Sequence, residues 1–260
     1  MSTRWSLPRP QHLIALALLL ALAACGCSTG SRKAAAAGTT DIVATPHANH
    51  HYNFDPERIA AKIRELQQAT NHLVNLHTGC DFHLSATNID DALSHPAKYT
   101  INHRVYLLVE FSDFVIPPST DEILGRLRAA GMVPIITHPE RNRLLHDRAD
   151  QIATWVENDC RVQVTAQSFL GRFGKAAKTF SDTLMRNGLI HFVASDGHDP
   201  ERRPPVLSEA RQYIAKNYGE ARAEALFVTN PRATLTGETI EPFEPQPRKR
   251  KWYELGRNPF

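Results

Sequence analysis

The sequence predicts an α/β fold, a parallel barrel or sheet with its chemistry at the carboxyl ends of the strands. Two observations carry this. Short apolar runs alternate with helical patterns along the chain, the signature of a parallel sheet. Three of those runs also end on a metal-type ligand. Asp41-Ile42-Val43-Ala44 leads into Thr45-Pro46-His47, and Val133-Pro134-Ile135-Ile136 leads into Thr137-His138-Pro139-Glu140-Arg141. Ile190-His191-Phe192-Val193-Ala194 leads into Ser195-Asp196-Gly197-His198. Apolar runs of this length read as strands buried on both faces. A His or Asp at the end of such a strand points into the mouth of a barrel or sheet, where active sites are built.

The elements follow in order. Arg4 and Arg9 precede the apolar run Leu13-Ile14-Ala15-Leu16-Ala17-Leu18-Leu19-Leu20-Ala21-Leu22, and small residues and Cys25 come after it. Residues 1–25 thus read either as a secretory signal or as a mis-called N-terminus of Ala/Leu-rich composition. The run is short for a membrane span. Leu22-Ala23-Ala24-Cys25 resembles a bacterial lipobox, which places a lipid on Cys25. Residues 26–38 read as a linker, and 39–240 as the folded domain.

Within that domain Asp55-Pro56-Glu57 opens a helix to residue 71, and 74–79 is a short strand ending at Cys80-Asp81. A short helix covers 89–93, and 105–111 is the clearest strand. Helix 119–131 precedes strand 133–136, and helix 149–158 precedes strand 161–165. Helix 175–187 is closed by Gly188, as a C-terminal cap requires. Strand 189–194 and helix 208–218 complete the alternation. The tail, 241–260, is Pro-rich and then basic at Arg248-Lys249-Arg250-Lys251, and reads as flexible.

Net charge is +3 with both signs spread along the chain, so no nucleic-acid or other strongly charged partner is expected. Of four cysteines, Cys25 and Cys27 lie in the N-terminal segment, and Cys80 and Cys160 stand alone without CxxC spacing, so a disulfide framework is not expected and the latter two read as buried thiols or small hydrophobes.

Six candidate ligands lie at or beside strand ends: His47, Asp81, Glu110, His138, Asp196 and His198. Mixed imidazole and carboxylate sets suit Zn, Mn or Fe, and a carboxylate such as Asp81 or Glu110 can bridge two cations. Glu110 ends an apolar strand, where an unpaired carboxylate is costly. Arg141, three residues after His138, offers a fork for two phosphate oxygens. His83, two after Asp81, is the foremost further participant, ahead of His50, His51, His77 and His103, which read as surface or supporting residues. His191, inside a strand, reads as a packing histidine.

These residues resemble the PHP family, and within it the bacterial CpsB/YwqE-type tyrosine-protein phosphatases of capsule and exopolysaccharide loci. The matching stretches are Ile42-Val43-Ala44-Thr45-Pro46-His47, Gly79-Cys80-Asp81, Leu108-Val109-Glu110-Phe111, and Pro134 through Asn142. They continue with Gln163-Val164-Thr165-Ala166, Leu170-Gly171-Arg172-Phe173-Gly174, Ala194-Ser195-Asp196-Gly197-His198, Arg203-Pro204-Pro205 and Thr229-Asn230-Pro231-Arg232. The match covers about residues 36–238.

The resemblance implies a distorted (β/α)7 barrel with a trinuclear site of manganese type. His47, Asp81, Glu110, His138, Asp196 and His198 stand at its metal ligands, with Asp81 where the family usually has a bridging Glu. Arg141 and Arg203 stand where the substrate phosphate is held. The family also opens with a strand carrying His-x-His and a following acid, and nothing here matches it. The barrel is therefore expected to lack its first strand and three of nine ligands, with reduced metal content and activity.

The function expected is metal-dependent phosphomonoester hydrolysis, foremost on phosphotyrosine of a cognate tyrosine autokinase. Competing readings are a phosphoesterase for small phosphate esters and a non-catalytic, lipid-anchored binding relative. The resemblance implies a cytoplasmic protein, and a genuine Cys25 signal implies a membrane-anchored lipoprotein.

Overall fold

A computed structural model describes residues 13–17, 24–146 and 148–245. The basic end of the tail lies outside the described residues. Among the described residues nine parallel strands form two sheets, one of order β1-β2-β4 and one of order β3-β5-β6-β7-β8-β9. They are β1 (Leu13–Ala17), β2 (Thr39–Ala44), β3 (His47–Ala48), β4 (Asn75–Thr78), β5 (Asp81–His83), β6 (Tyr106–Glu110), β7 (Val133–Thr137), β8 (Arg161–Thr165) and β9 (Phe192–Ala194).

The helices between them are α1 (Ala24–Ala36), α2 (Pro56–Ala69), α3 (Ala86–Ser94), α4 (Thr120–Ala129), α5 (Ala149–Glu157), α6 (Ala166–Phe169) and α7 (Gly174–Arg186). α8 (Ser208–Tyr218), α9 (Glu220–Glu224) and α10 (Asn230–Thr236) close the chain.

The two sheets are one wall with a break. β2 runs into β3 through Thr45-Pro46, and β4 runs into β5 through Gly79-Cys80. Pro46 has no N–H to donate to a ladder, so pairing lapses there. Gly79 fits because its neighbours leave no room: a Cβ there would lie 2.7 Å from Val43 and 2.9 Å from Thr45. The Asp81 N–H donates to the Pro46 carbonyl at 3.0 Å, which stitches the break and sets His47 level with Asp81. Counting each broken strand once, the lanes run β1, β2/β3, β4/β5, β6, β7, β8, β9, the seven of a PHP-type barrel. No ladder joins β9 to β1 among the described residues, although the two strands are neighbours.

The N-terminal expectations need correction. The lane thought to be absent is filled: Leu13–Ala17 pairs in parallel along β2, with Leu16 level with Val43 and Ala17 with Ala44. β2 otherwise has a bare edge, and an apolar run satisfies it without any particular side chain. The run carries neither His nor acid, so the strand is present and its ligands are not. Residues 26–38, read as a linker, lie largely within α1. Ala34 and Ser31 are fully buried on it, and Lys33 Nζ donates to the Pro200 carbonyl at 2.8 Å.

The core is continuous between the strands and the outer helices, with Phe82, Leu107, Val109, Ile136, Val162, Phe169 and Phe227 fully buried. His191 belongs to it: it is fully buried, and Nδ1 accepts from the Val162 N–H at 3.2 Å. Burial holds its imidazole down to about 3, so it is neutral.

Candidate metal and phosphate site

Adjacent lanes deliver the donors side by side. Parallel register sets His47 opposite Asp81 and His83 opposite Glu110. Asp81 and His83, two apart on β5, share one face. His47 Nδ1 lies 3.0 Å from Asp81 Oδ2 and 3.4 Å from Glu110 Oε2. His83 Nε2 approaches the same Glu110 oxygen at 2.5 Å, and His138 Nε2 lies 3.2 Å from the other oxygen, Oε1. One donor atom from each of His47, Asp81, His83 and Glu110 falls within 4.8 Å of the rest.

This set fits a divalent cation on the atoms themselves. His47 Nδ1, Asp81 Oδ1, His83 Nε2 and Glu110 Oε2 are all buried, yet none is aligned in a hydrogen bond. Buried polar atoms are otherwise nearly always paired. Donor atoms that converge without aligned hydrogen bonds suit a shared cation that replaces the protons, and the mixture of imidazole and carboxylate suits manganese, iron or zinc.

The electrostatics agree. Burial opposes a charge on His47, but the Asp81 and Glu110 carboxylates outweigh it and raise the imidazole to about 10. Burial likewise opposes charge on His138, and Glu110 and Asp196 raise it to about 9. Burial and the neighbouring Glu110 lift Asp81 to about 6. Glu110, although buried, is held far below the usual carboxylate range by His138, His47 and His83. The cluster draws protons inward, as donors arranged around positive charge do.

The second half of the site lies at the ends of β7 and β9. His138 and Asp196 directly follow the apolar strands and take left-handed backbone, φ 32° and 47°. Such conformations cost of order 1–3 kcal/mol for a non-glycine residue and gather where function requires them. The His138 N–H donates to the Gln163 carbonyl at 2.8 Å, and the chain then folds back so that the Arg141 N–H reaches the His138 carbonyl at 3.0 Å.

Arg141 and Arg203 both grip Asp196 through the same oxygen, Oδ2. The two guanidiniums also share the face of Phe173, at 4.5 Å and 5.6 Å from its centroid. His198 Nδ1 sits 2.9 Å from the Asp196 carbonyl oxygen and 3.5 Å from Asp196 Oδ1. The His198 N–H donates to the Arg203 carbonyl at 2.9 Å, which brings Arg203 back to the site. A cavity lined by Thr45, Asp81, Thr137, His138, Gln163 and Asp196 joins the two halves.

Every candidate read from the sequence thus lies in one of two adjoining groups. His47, Asp81, Glu110 and His138 meet in the first, while Asp196, His198, Arg141 and Arg203 make the second. His83, ranked behind them in the sequence, sits within the first. The sequence reasoning missed two residues. Phe173 appeared only inside a motif, and its contact with two arginines is a meeting of distant loops. Glu140 is fully buried, and its Oε1 accepts from the Thr165 N–H at 3.0 Å and Ser168 Oγ at 2.6 Å. It fastens the loop carrying His138 and Arg141 to the end of β8; an acid flanked by two candidate residues was the available signal.

Cys80 and Cys160 are buried, and burial raises Cys80 well above its ordinary range and Cys160 to about 12. Neither is a thiolate at neutral pH.

Comparison with known proteins agrees with this geometry. The family described as capsular polysaccharide synthesis, CpsB/CapC, matches residues 30–236. A putative tyrosine-protein phosphatase CapC of Staphylococcus aureus is 31% identical over 232 residues, covering 86% of this chain and 89% of that protein. Tyrosine-protein phosphatase YwqE of Bacillus subtilis (strain 168) is 30% identical over 225 residues, covering 85% and 88%. Among solved structures, one from a study of YwqE from B. subtilis and CpsB from Streptococcus pneumoniae, described as unique metal-dependent tyrosine phosphatases, superposes with a TM-score of 0.82 at 27% identity. That match covers 92% of this chain and 100% of the other. The chain belongs to the CpsB/CapC family.

Proposed function

We propose, from that membership and from the site, that the chain is a metal-dependent tyrosine-protein phosphatase acting in capsule or exopolysaccharide regulation. The observation that carries the reading is the juxtaposition of a convergent His/Asp/Glu donor set with two arginines on one aromatic face. His47, Asp81, Glu110 and His138, with Asp196 and His198, are the residues to hold the cations, of manganese type. When bound, such cations supply Lewis acidity toward a phosphoryl oxygen and lower the pKa of water.

Arg141 and Arg203 fork onto the phosphoryl oxygens, the role their shared grip on one carboxylate of Asp196 prefigures. The reaction is hydrolysis of a phosphomonoester: water adds at phosphorus, the P–O bond to the aryl oxygen breaks, and tyrosine and inorganic phosphate leave. Neither Cys80 nor Cys160 serves as the nucleophile, because both thiols are buried and protonated.

The substrate fitting this reading is a phosphotyrosyl protein, a cognate tyrosine autokinase in the first place. We place the chain in the cytoplasm. Processing before Cys25 to make a lipoprotein would remove β1 and bare the β2 edge. Phosphate release from a phosphotyrosyl peptide set against small phosphate esters, in manganese, tests the reading. It expects the peptide to be preferred and Cys80→Ser with Cys160→Ser to retain turnover. Preference for small esters, or loss of turnover in the double variant, contradicts it. The mass of the chain isolated from its host tests the location: an intact N-terminus is expected, and a lipidated Cys25 overturns it.

A further inference from the structure

We propose that His83 is itself a metal ligand, so that β3, β5 and β6 alone supply a four-residue cation site, His47, Asp81, His83 and Glu110. This rests on the metal-dependent reading above and says which residues of this chain build the centre. β1 has no His or acid to contribute. The donors must come from lanes that have them, and β5 offers two on one face, Asp81 and His83.

The local structure aims His83 at that position. Its carbonyl accepts from the Ser85 N–H at 2.8 Å and from Asn88 Nδ2 at 3.0 Å, so the backbone after the side chain is fixed. The same Asn88 Nδ2 also donates to the Ala48 carbonyl at 2.8 Å. One amide therefore ties the strand ends carrying His47 and His83 together. The two imidazoles meet edge to face, with centroids 5.4 Å apart at 71°. Both present a nitrogen to Glu110 Oε2, His83 at 2.5 Å and His47 at 3.4 Å.

A histidine that only orients Glu110 would be aligned as a hydrogen-bond donor. His83 Nε2 is buried and close but not aligned, and so are Glu110 Oε2, His47 Nδ1 and Oδ1 of Asp81, a residue only 5% exposed. One ligand atom from each of the four residues lies within 4.8 Å of the others, and a shared cation accounts both for that convergence and for the buried atoms left without an aligned hydrogen bond.

The test uses the full chain with manganese alone as probe. Binding is read by equilibrium dialysis, and imidazole coordination by pulsed electron paramagnetic resonance on protein carrying ¹⁵N-histidine. His83→Gln should weaken manganese binding by about tenfold or more and remove one imidazole coupling. His83→Glu, which restores a donor, should recover the stoichiometry of the wild type. A residue that merely orients Glu110 could not be rescued this way, since two carboxylates would then face each other. His50→Gln serves as a control and should change nothing.

The proposal is overturned if His83→Gln keeps every imidazole coupling, or if His83→Glu binds as poorly as His83→Gln. Should the glutamine variant fail to fold, the glutamate variant carries the test, because restored manganese binding with one coupling fewer supports ligation and unchanged couplings refute it. Failure of the broader reading looks different: the wild type would then bind manganese without hydrolysing phosphotyrosine. A wild type that binds no manganese overturns both.

Discussion

The two sides of the barrel are built alike and equipped differently. On one side β3 and β5 carry His47, Asp81 and His83, β6 ends on Glu110, and the turns after β7 and β9 add His138, Asp196 and His198. On the other, β1 pairs along β2 over its length and carries no side chain able to hold a cation. A lane in a parallel sheet is satisfied by backbone hydrogen bonds and an apolar composition, which many sequences meet. A ligand position is satisfied by one or two residue types only. Wall and chemistry therefore have separate requirements, and this chain fills all seven lanes of the wall but carries its donors on one side.

The sharpest way to break that contrast is to move the same kind of change from one side to the other. Glu110→Gln removes a carboxylate approached by three imidazoles and should cost turnover on the order of 10³-fold, with loss of bound metal. Asp41→Asn lies on β2, where Asp41 is half-buried and partnered by His77, Thr40 and Asn75. It should leave both quantities unchanged. Phosphate release and metal analysis on the two variants decide, and equal effects would erase the distinction between the sides.

Within the equipped side, cation and phosphate functions should separate. Arg141→Ala should lower turnover on the order of 10²-fold at constant metal content, since a guanidinium stabilises phosphoryl charge and does not ligate. Metal loss in that variant would reassign Arg141. A smaller effect belongs to Phe173, which supports both guanidiniums. Each cation–π contact is worth about 0.5–1 kcal/mol, so Phe173→Leu should raise KM for a phosphotyrosyl peptide roughly fivefold with kcat little changed. Phe173→Tyr keeps the aromatic face and should stay near the wild type.

Much of the equipped side was legible in the sequence because its signals are local. An apolar run ending on His47, Glu110, His138 or Asp196 announces a strand and a donor at once. His83 was harder, since a histidine two after an acid gains meaning only when register brings it opposite Glu110. Phe173 was illegible, because nothing local places its ring against Arg141 and Arg203. The pairing of β1 was not legible for a physical reason: Leu13–Ala17 suits the apolar centre of a signal as well as it suits a strand, and the β2 edge it pairs with lies more than twenty residues away. The 26–38 linker erred similarly, as Ala and Lys favour a helix once a surface exists to bury Ala34.

The mildest contrast is between histidines of the site and of the core. Carboxylates raise His47 and His138, whereas burial lowers His191 to about 3. A group whose folded value lies below its unfolded value of about 6.5 takes up its proton first in the unfolded chain. Its contribution is complete above that pH and declines as pH falls toward 3, by up to about 1.4 kcal/mol per unit. Urea unfolding at pH 7, 6 and 5 should show that decline, and His191→Asn should flatten it. An equal slope in the variant would place the proton elsewhere.

The central claim, that the donor-bearing ends of β3, β5, β6 and β7 form a metal-dependent phosphatase site despite a donor-free β1, has one direct measurement. The chain is stripped with a chelator, and phosphate release from a phosphotyrosyl peptide is followed as manganese is titrated back against the amount bound. Turnover absent at zero metal, rising with occupancy and saturating with it, is the result the account predicts. Turnover that persists in the stripped chain, or full occupancy without turnover, contradicts it.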